Sequence, residues 1–521
     1  MRLVYQPSMS SMKITKSAVL ASLICVLIFT FLYIFLVEKI NFMQNDDWVH
    51  YRTVSRFLVG DFTLEPVIGS TFYVQGFVGL VFSLLFGVQK LPVLTYFVSL
   101  LNFFIFVKIL NRFYKLDCYT SVILSLIIFF NPLHFYLSLG FMIENYLLFF
   151  VLLSLYFYLQ FDKSLDWKQL ILSNLFLAGS FYVKQFGIAV GVVYLIDLLT
   201  KRRLKVALIQ FIVSLALILS YYLTFPRTPV MLQKGIDFSK VINAYSGALF
   251  LSQWYVYLMS FTLSLFILLI LYSFRQMKNR LNFVLAGILS VIVFISVVKL
   301  LAGYDYPYYA NTFKSNGYFP GDLDGNKYHF VGYYDLFRYW KIASIACFSI
   351  FVGLFTAAKK WSVSLPIVFI AVYSAFLLVM PSVYDRYLVV FLPFLLLFVL
   401  DNIKSFSHID KMLITGFTVF ICIVSISFAV DFVKWQSYVW DRAGEIAIEI
   451  DIPRSKIIAT RAWNKNYETD FAKAEYKFSF DSPEVLDDIN AELIEAEDVS
   501  FRWSPFINAK VYLYKLDYEQ K

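Results

Sequence analysis

Apolar runs long enough to cross a lipid bilayer recur along this 521-residue chain, from residue 17 to residue 430. A helix needs roughly 17 to 25 residues, at a rise of about 1.5 Å each, to span the hydrocarbon layer. Hydrophobic residues make up 60% of the chain and charged residues 16%, and the mean hydropathy is +0.69. Soluble domains carry about a quarter charged residues. The sequence therefore excludes a soluble globular enzyme and predicts an all-α polytopic membrane protein.

The net charge of +9 reflects the membrane topology of the chain, because Lys and Arg concentrate in short loops between the apolar runs. Nothing in this pattern indicates a nucleic-acid partner. Lys13 and Lys16 place the N-terminus in the cytoplasm, ahead of a retained first helix near residues 18–37. Five further basic loops are assigned to the cytoplasm: 112–115, 201–205, 275–280, 359–360 and 404–411.

Counting spans between these loops predicts about 13 transmembrane helices. After residue 112 the spans are expected near 118–139, 142–161, 169–183, 185–200, 205–225, 249–273, 281–302, 341–358, 362–380, 386–402 and 411–430. Before it, residues 72–88 and 92–112 cannot both cross if Asp46 lies outside and Arg112 inside. We expect one of the two to be re-entrant or interfacial. Helix-breaking residues favour this arrangement: Pro92, Gly69, Gly76 and Gly79.

This topology divides the chain into a membrane domain, residues 1–430, and a tail, residues 431–521. The membrane domain carries two large external loops, 38–71 and 303–340. The tail has charges at an ordinary soluble frequency and an alternating stretch at 509–514 that reads as a strand. It predicts a small α+β extracytoplasmic domain of about 90 residues.

The cysteines are not placed for an extracellular bridge. Three fall in apolar runs and one in a basic loop: Cys25, Cys118, Cys347 and Cys422. We expect no disulfide framework.

Two adjacent carboxylates, Asp46 and Asp47, follow directly on the first predicted helix. A carboxylate at a membrane surface can deprotonate an acceptor hydroxyl or hold a divalent cation; the alternative is a solvated helix cap. If the segment is helical, His50 shares a face with the pair, which also suits a metal ion, although a lone histidine is more often structural. The pair is therefore a candidate catalytic site and, with His50, the candidate site of a divalent cation.

Fixed positive charge is available one and two turns further on, at Arg52 and Arg56, where it can bind a phosphate or extend towards lipid headgroups. Two aromatic residues, Trp48 and Tyr387, are candidates for substrate binding. The alternative for such rings is an aromatic belt at the membrane interface.

Ionisable residues at the external ends of apolar spans form a second group of candidates. Glu144 begins one span, Lys184 lies at a turn between two others, and Arg386 begins a late span. Charges near hydrocarbon are costly and usually have a partner or a function. Lys184 and Arg386 can bind a phosphate, with a structural ion pair between Glu144 and Lys184 as the alternative. By topology these groups meet Asp46 and Asp47 on one membrane face.

Three common catalytic motifs are absent from the sequence: a Walker-type phosphate loop, His-Glu-x-x-His and Gly-x-Ser-x-Gly. Nucleotide-driven pumping, zincin proteolysis and hydrolase-type acyl transfer therefore lose support.

In the order of these residues along the chain, the sequence resembles the GT-C fold glycosyltransferases. The resemblance is to the bacterial branch related to protein O-mannosyltransferases and the lipid A aminoarabinose transferase. The resemblance covers most of the chain and rests on short motifs: Asp46-Asp47 with Gly60-Asp61, Glu144, Arg386-Tyr387-Leu388 with Pro393, and in the tail 440–445, Ile452-Pro453 and 462–464. The sequence has Asn-Asp-Asp-Trp where the family more usually has an acidic residue followed by Pro, which leaves open which Asp is the base.

The resemblance implies transfer of a sugar from a polyprenyl-phosphate donor to a lipid, glycan or protein acceptor, among the lipids of the bacterial inner membrane. Asp46 or Asp47 would be the base and Glu144 the second acid. Arg52, Lys184 or Arg386 would meet the donor phosphate. The sugar, the acceptor and the oligomeric state are not implied.

Two other functions stay open at this point. A polysaccharide polymerase or ligase would place its key residues in one large mid-chain loop, for which 303–340 is a weak candidate. A transporter of lipid-linked glycans would favour inverted repeats and broken mid-membrane helices, and no repeat is visible in the sequence.

Overall fold

A computed structural model describes residues 27–233, 292, 313–314, 317–318, 322–325, 364–378, 385–402, 405–485, 491–499 and 510–516. The described chain is mostly helical, with a small sheet near the C-terminus. Apart from residue 292, the predicted spans at 249–273, 281–302 and 341–358 lie outside these residues, as do most of the loop 303–340, Cys25 and Cys347.

The helices are numbered here in chain order through the described residues. They are α1 (27–35), α2 (Asp47–Leu58), α3 (Tyr73–Phe86), α4 (Leu91–Tyr114), α5 (Cys118–Phe129), α6 (Pro132–Leu137), α7 (Ile143–Ser164), α8 (Trp167–Val183), α9 (Ile188–Thr200), α10 (Leu204–Leu223), α11 (Pro229–Gln233), α12 (Leu365–Leu378), α13 (Phe391–Asn402), α14 (His408–Glu449) and α15 (Arg461–Asn466).

Four helices of the described chain are long and apolar enough to cross a membrane: Val88–Tyr114, which adds a 3-10 turn to α4, Ile143–Ser164, Leu204–Leu223 and His408–Glu449. Their surfaces expose apolar side chains, such as Leu208, Ile212 and Leu223 on α10. An exposed apolar stripe of this kind is unfavourable in water and favourable against lipid. The structure is therefore compatible with a membrane protein.

Residues 72–88 and 92–112, of which only one is expected to cross the membrane, form helices of different length. α4 has 24 residues, whereas α3 has 14 and reaches only about 21 Å at 1.5 Å per residue. Pro92 lies in the first turn of α4, where a missing N–H costs no hydrogen bond. Gly76 and Gly79 do not break α3. They allow close packing, because a Cβ at Gly79 would lie 2.8 Å from the Phe141 ring.

The predicted span 118–139 is not one helix. α5 ends at Phe129, and α6 starts at Pro132 after an Asn131 cap whose side chain accepts the Leu133 N–H. Asparagine at the N-cap with proline at the first helical position is a strong start signal. It divides the apolar run into two short helices.

Helices α7 to α10 alternate in direction, so their ends lie in two groups. α7 and α8 are joined by two residues and are linked mid-length by Ser154 and Ser173. At one end of these helices, Lys201 lies 2.9 Å from Asp162 and 2.7 Å from Asp197. At the other end lie the start of α7, the turn between α8 and α9, and the end of α10.

α14 continues without interruption past residue 430, where the composition changes, and carries the chain into the tail. Earlier in the chain, β1 (Phe313–Lys314) and β2 (Gly317–Tyr318) pair antiparallel. Beyond α14, β3 (Ile457–Ile458), β4 (Tyr476–Ser479), β5 (Ala491–Asp498) and β6 (Lys510–Leu516) form a four-stranded sheet in the order β3-β4-β6-β5. β3 pairs parallel with β4, and the other pairs are antiparallel. The predicted strand at 509–514 is therefore confirmed as β6.

Aromatic packing joins the tail to the end of α14. Trp463 is 1% exposed and packs edge-on against Trp440 with 5.1 Å between ring centroids, while Trp440 donates its indole N–H to the Thr460 hydroxyl. Tyr467 closes the cluster at 4.4 Å from Trp463. Large buried rings of this kind dominate the stability of a small domain.

We expect Trp463→Ala to destabilise the tail by about 3–5 kcal/mol, because it removes the central ring of this cluster and leaves a cavity. Thermal unfolding in detergent, together with protease sensitivity of the tail, measures the effect. Phe471→Ala is the control, since Phe471 is 59% exposed in the same domain. Equal losses in the two variants would contradict this account of the core.

Candidate active site

Asp46 stands at the start of α2 with its carboxylate turned towards a late part of the chain. It is the N-cap of the helix, yet its side chain makes no capping hydrogen bond. Instead, Arg386 Nη2 donates to Asp46 Oδ2 at 2.6 Å. The Asp46 side chain is 42% exposed and the Arg386 side chain 8%. Burial raises the pKa of Asp46, but the charge and hydrogen bond of Arg386 outweigh this and hold that pKa below its usual value.

Asp47, the neighbouring carboxylate, points the other way and is buried. Its Oδ2 accepts the Phe141 backbone N–H at 2.8 Å. Burial raises the pKa of Asp47, and the nearby His50 and the Phe141 N–H offset that rise only in part. The two acids that the sequence left equivalent therefore have different surroundings.

The turn before α7 fits closely against the first turn of α2. A Cβ at Gly140 would collide with the side-chain oxygens of Gln44 and Asp47. The Phe141 carbonyl accepts from Gln75 Nε2 at 3.1 Å, while Gln44 Nε2 donates to the Tyr136 carbonyl at 3.1 Å. These contacts fix α2 relative to α7.

Glu144 lies in the first turn of α7 and pairs with Lys184, with 3.2 Å from Nζ to Oε1. Both side chains are buried. Arg386 Nε lies 3.8 Å from the same Glu144 oxygen, and Lys184 Nζ lies 3.6 Å above the Tyr387 ring. The structural ion pair considered from the sequence is thus present, and it is joined through Arg386 to Asp46.

The backbone at Lys184 is what brings this side chain into the cluster. Lys184 is extended (φ −153°, ψ 133°), so α8 ends there and a 3-10 turn, Gln185–Gly187, leads into α9. The last carbonyls of α8 are capped from the first loop. Thr71 Oγ1 donates to the Phe181 carbonyl at 2.6 Å, and the Phe72 N–H donates to the Val183 carbonyl at 3.1 Å. Capping of this kind satisfies groups that a helix end leaves open.

These side chains line a cavity of about 270 Å³. Its charged side chains are Asp46, Glu144, Lys184 and Arg386, and His50 and the rings of Trp48 and Tyr387 also line it. Apolar residues, including Ile68 and Phe186, complete it. Two carboxylates and two cations from four separate parts of the chain therefore meet at one opening.

Arg52 and Arg56 do not line this cavity. Arg52 bridges α2 to the tail, where it donates to the Asn466 carbonyl at 2.5 Å and lies 3.3 Å from Glu468. Arg56 pairs with Asp61 at 2.8 Å, and the Arg56 and Thr63 hydrogen bonds lower the pKa of Asp61 to about 2. The structure thus places both arginines in ion pairs beside the cavity.

The three candidate metal ligands do not converge. Asp46 faces Arg386, Asp47 binds the Phe141 N–H, and His50 Nδ1 lies 3.1 Å from the Phe141 carbonyl oxygen. Among the residues that the structure describes, no group of three or more His, Cys, Asp or Glu side chains could hold a metal ion.

A second cavity, of about 1040 Å³, lies between α2, residues 322–325 and the tail. It shares Trp48 and Val67 with the first cavity. Asp322 lines it while being 3% exposed, and Gln436 donates a hydrogen bond to this carboxylate. Burial raises the pKa of Asp322 to about 7, although the Gln436 hydrogen bond and Arg461 lower it.

Sequence reasoning missed Asp322, Gly140 and the Phe141 backbone. Asp322 sits in a loop without a motif, and a backbone group has no signature in a sequence. The sequence does contain one indication for Gly140. A glycine just before an acidic helix start permits close approach of another segment.

We expect Gly140→Ala to lower stability by about 1–3 kcal/mol, because the added methyl overlaps the Gln44 and Asp47 side chains. Gly444→Ala is the control, since a Cβ there meets nothing within 4 Å and alanine favours a helix. Thermal unfolding of both variants in detergent measures the difference. A neutral Gly140→Ala would show that the two segments are not in close contact.

We expect stability to fall as pH rises from about 4 to about 7, since Asp322 has its pKa raised and binds a proton more tightly in the folded state. Asp322→Asn should remove this part of the decline and be the more stable protein above pH 7. Asp324→Asn, at an exposed position of the same segment, is the control. Thermal midpoints measured between pH 4 and 8 test this, and parallel curves for wild type and Asp322→Asn would contradict it.

Comparison with known proteins adds no identity: no family model, curated protein or solved structure matches this chain. Any function for the protein therefore has to be argued from the chemistry of these side chains.

Proposed function

We propose that this protein is an integral-membrane glycosyltransferase of the GT-C type. It moves a sugar from a polyprenyl-phosphate donor to an acceptor hydroxyl on the outer face of the membrane. The observation that carries the proposal is the cavity in which Asp46 and Glu144 meet Lys184 and Arg386. Such a transfer requires a base to deprotonate the acceptor and cations to stabilise the leaving phosphate, and the cavity supplies both.

A sugar phosphate is an activated donor, since the phosphate leaves as a stable anion. The acceptor oxygen loses its proton to a base and attacks the anomeric carbon. The bond from that carbon to the phosphate oxygen breaks, and its electron pair stays on the phosphate. Fixed cations stabilise the charge that develops there, which lowers the barrier. Attack opposite the leaving group inverts the anomeric centre.

Lys184 and Arg386 are the cations assigned to the phosphate. Lys184 has three N–H donors, of which Glu144 accepts one. Because Glu144 and Asp46 already hold these cations in place, no large rearrangement is needed before the phosphate arrives. Each acid in turn lies beside a cation, Asp46 beside Arg386 and Glu144 beside Lys184, which supports roles for Asp46 in the transfer and for Glu144 in assisting it.

Of the two first-loop acids, Asp46 is favoured as the one that meets substrate, because it lines the cavity and Asp47 does not. Trp48 and Tyr387, at the side of the cavity, are assigned to the sugar. Arg52 and Arg56 do not line the cavity and are held in ion pairs. They are therefore weaker candidates for binding the donor phosphate than Lys184 and Arg386.

The proposed topology follows from charge. The cavity lies at the ends of α7 to α10 opposite those that carry Lys201, Arg203 and Asp162. The positive-inside rule places such basic ends in the cytoplasm. The proposal therefore keeps about 13 spans, a cytoplasmic N-terminus, an extracytoplasmic tail and the bacterial inner membrane as location. The acceptor is a lipid, a glycan or a protein.

The test is transfer of radiolabelled sugar by protein reconstituted in liposomes. The donors are short-chain polyprenyl phosphates that carry glucose, mannose, galactose, N-acetylglucosamine or arabinose, and a bacterial envelope extract supplies acceptors. We expect Asp46→Asn, Glu144→Gln and Arg386→Gln each to reduce transfer by about 100-fold or more, because each removes a charge that acts on the transition state.

Asp61→Asn is the matched control, since Asp61 belongs to the same loop and pairs with Arg56, and neither residue lines the cavity. It should keep transfer near wild type. Thermal unfolding of every variant separates lost chemistry from lost folding. Full activity in all three cavity variants would remove the catalytic assignment. No wild-type transfer from any of the five donors would favour a polymerase, a ligase or a transporter instead.

A further inference from the structure

His50 lines the first cavity with a ring whose orientation is fixed on three sides. Its Nδ1 lies 3.1 Å from the Phe141 carbonyl oxygen and 3.7 Å from Asp47 Oδ1. Its face stacks on the Phe72 ring at 4.9 Å between centroids, with 12° between the planes. A side chain held in this way has little freedom to move when a substrate binds.

The contact with Phe141 decides which nitrogen carries the proton. A carbonyl oxygen can only accept a hydrogen bond, so Nδ1 must be the N–H donor. In the neutral ring the lone pair is then on Nε2. Since Nδ1 is engaged behind the ring and His50 forms part of the cavity wall, Nε2 is the nitrogen left to meet a substrate.

Backbone strain at Phe72 supports a special role for this arrangement. Phe72 has φ +50°, in the left-handed region that a bulky side chain rarely adopts, and it is fully buried. Strained residues of this kind persist where the surrounding structure over-determines them, and they are frequent at functional sites. Here the strained residue supplies the ring on which His50 stacks.

Asp46 is poorly suited to take a proton. Its Oδ2 accepts a 2.6 Å hydrogen bond from Arg386. Burial raises the pKa of Asp46, but Arg386 outweighs it and the net shift is downward, so the carboxylate holds a proton weakly. An imidazole is better matched to a base that works near neutral pH.

We infer that His50 Nε2 accepts the proton of the acceptor hydroxyl and that Asp47, behind the ring, stabilises the imidazolium that forms. This inference rests on the proposed function and deepens it by naming the base. The acceptor proton moves to Nε2, the acceptor oxygen bonds to the anomeric carbon, and the bond from that carbon to the phosphate oxygen breaks. Asp46 then holds Arg386 for the phosphate. His50 is the catalytic base and Asp47 a positioning residue.

The charged groups that surround His50 determine what a pH profile will report. They are Asp46 and Asp47 at the start of its own helix and, across the cavity, Glu144, Lys184 and Arg386. The two rings packed against the imidazole, Phe72 and Phe141, are uncharged, and the charge nearest to Phe141 along its own segment is Glu144. Among the carboxylates in the part of the chain that the structure describes, Asp47 is the one within 4 Å of the imidazole nitrogen.

The decisive variant is His50→Asn, whose side-chain amide can still donate to the Phe141 carbonyl but offers no base in the place of Nε2. We expect kcat for transfer to fall about 10²–10⁴-fold, with KM for the polyprenyl-phosphate donor unchanged. His134→Asn is the matched control. His134 is also buried and has Nδ1 3.2 Å from a backbone carbonyl, that of Phe129, but it does not line the cavity.

The pH profile of Asp47→Asn distinguishes an electrostatic role of Asp47 from a purely structural one. The variant can keep a hydrogen bond from the Phe141 N–H while losing the negative charge, so the imidazolium becomes less stable. We expect the acid limb of the kcat profile to shift to lower pH, whereas Asp47→Glu, which restores the charge, should move it back.

Wild-type kcat in His50→Asn, or an unshifted acid limb in folded Asp47→Asn, would overturn the inference while leaving the transferase proposal intact. Equal losses in His50→Asn and His134→Asn would also overturn it, since packing would then explain both. Absence of transfer by the wild-type protein would overturn the proposed function and this inference together.

Discussion

The described structure depends on a chain of charges that links the partly exposed Asp46 to the buried Arg386, Glu144 and Lys184. Taking one such charge out of water costs several kcal/mol, and only a close partner of opposite sign offsets that cost. Each member of the chain comes from a different helix end, and Asp46 and Arg386 are 340 residues apart in sequence. The helices must therefore be in place before any of these charges is compensated, which ties the site to the fold as a whole.

Helix ends are suitable places for such a cluster. The starts of α2 and α7 present N–H groups that favour carboxylates, and Asp46 and Glu144 occupy those starts. Helix breaks then bring the cations to the same level: the extended backbone at Lys184 and the 3-10 turn Asp385–Val390. A membrane protein can tolerate irregular backbone of this kind where protein or a cavity, rather than lipid, surrounds it.

The tail makes direct contacts with α2 and with residues 322–325. Arg52 of α2 donates to the Asn466 carbonyl, and residues 322–325 are attached to the tail sheet, where the Phe480 N–H donates to the Asp324 carbonyl at 2.9 Å. The second cavity lies between these parts and shares Trp48 with the first. Movement of the tail would therefore change the surroundings of the first cavity, through α2.

The sequence by itself determined the class of protein and the chemical types at the site. Apolar runs predict a helical membrane protein because length and hydropathy decide whether a helix can leave water, and four helices of the described residues are compatible with one. Isolated charges at the ends of those runs, at Asp46, Glu144, Lys184 and Arg386, marked the site because charge near hydrocarbon is costly. Their gathering around one cavity, the different surroundings of Asp46 and Asp47, and the fixing of His50 by Phe141 were decided only by the tertiary structure. Such features depend on contacts between distant segments and on backbone groups, and neither has a local pattern in the sequence.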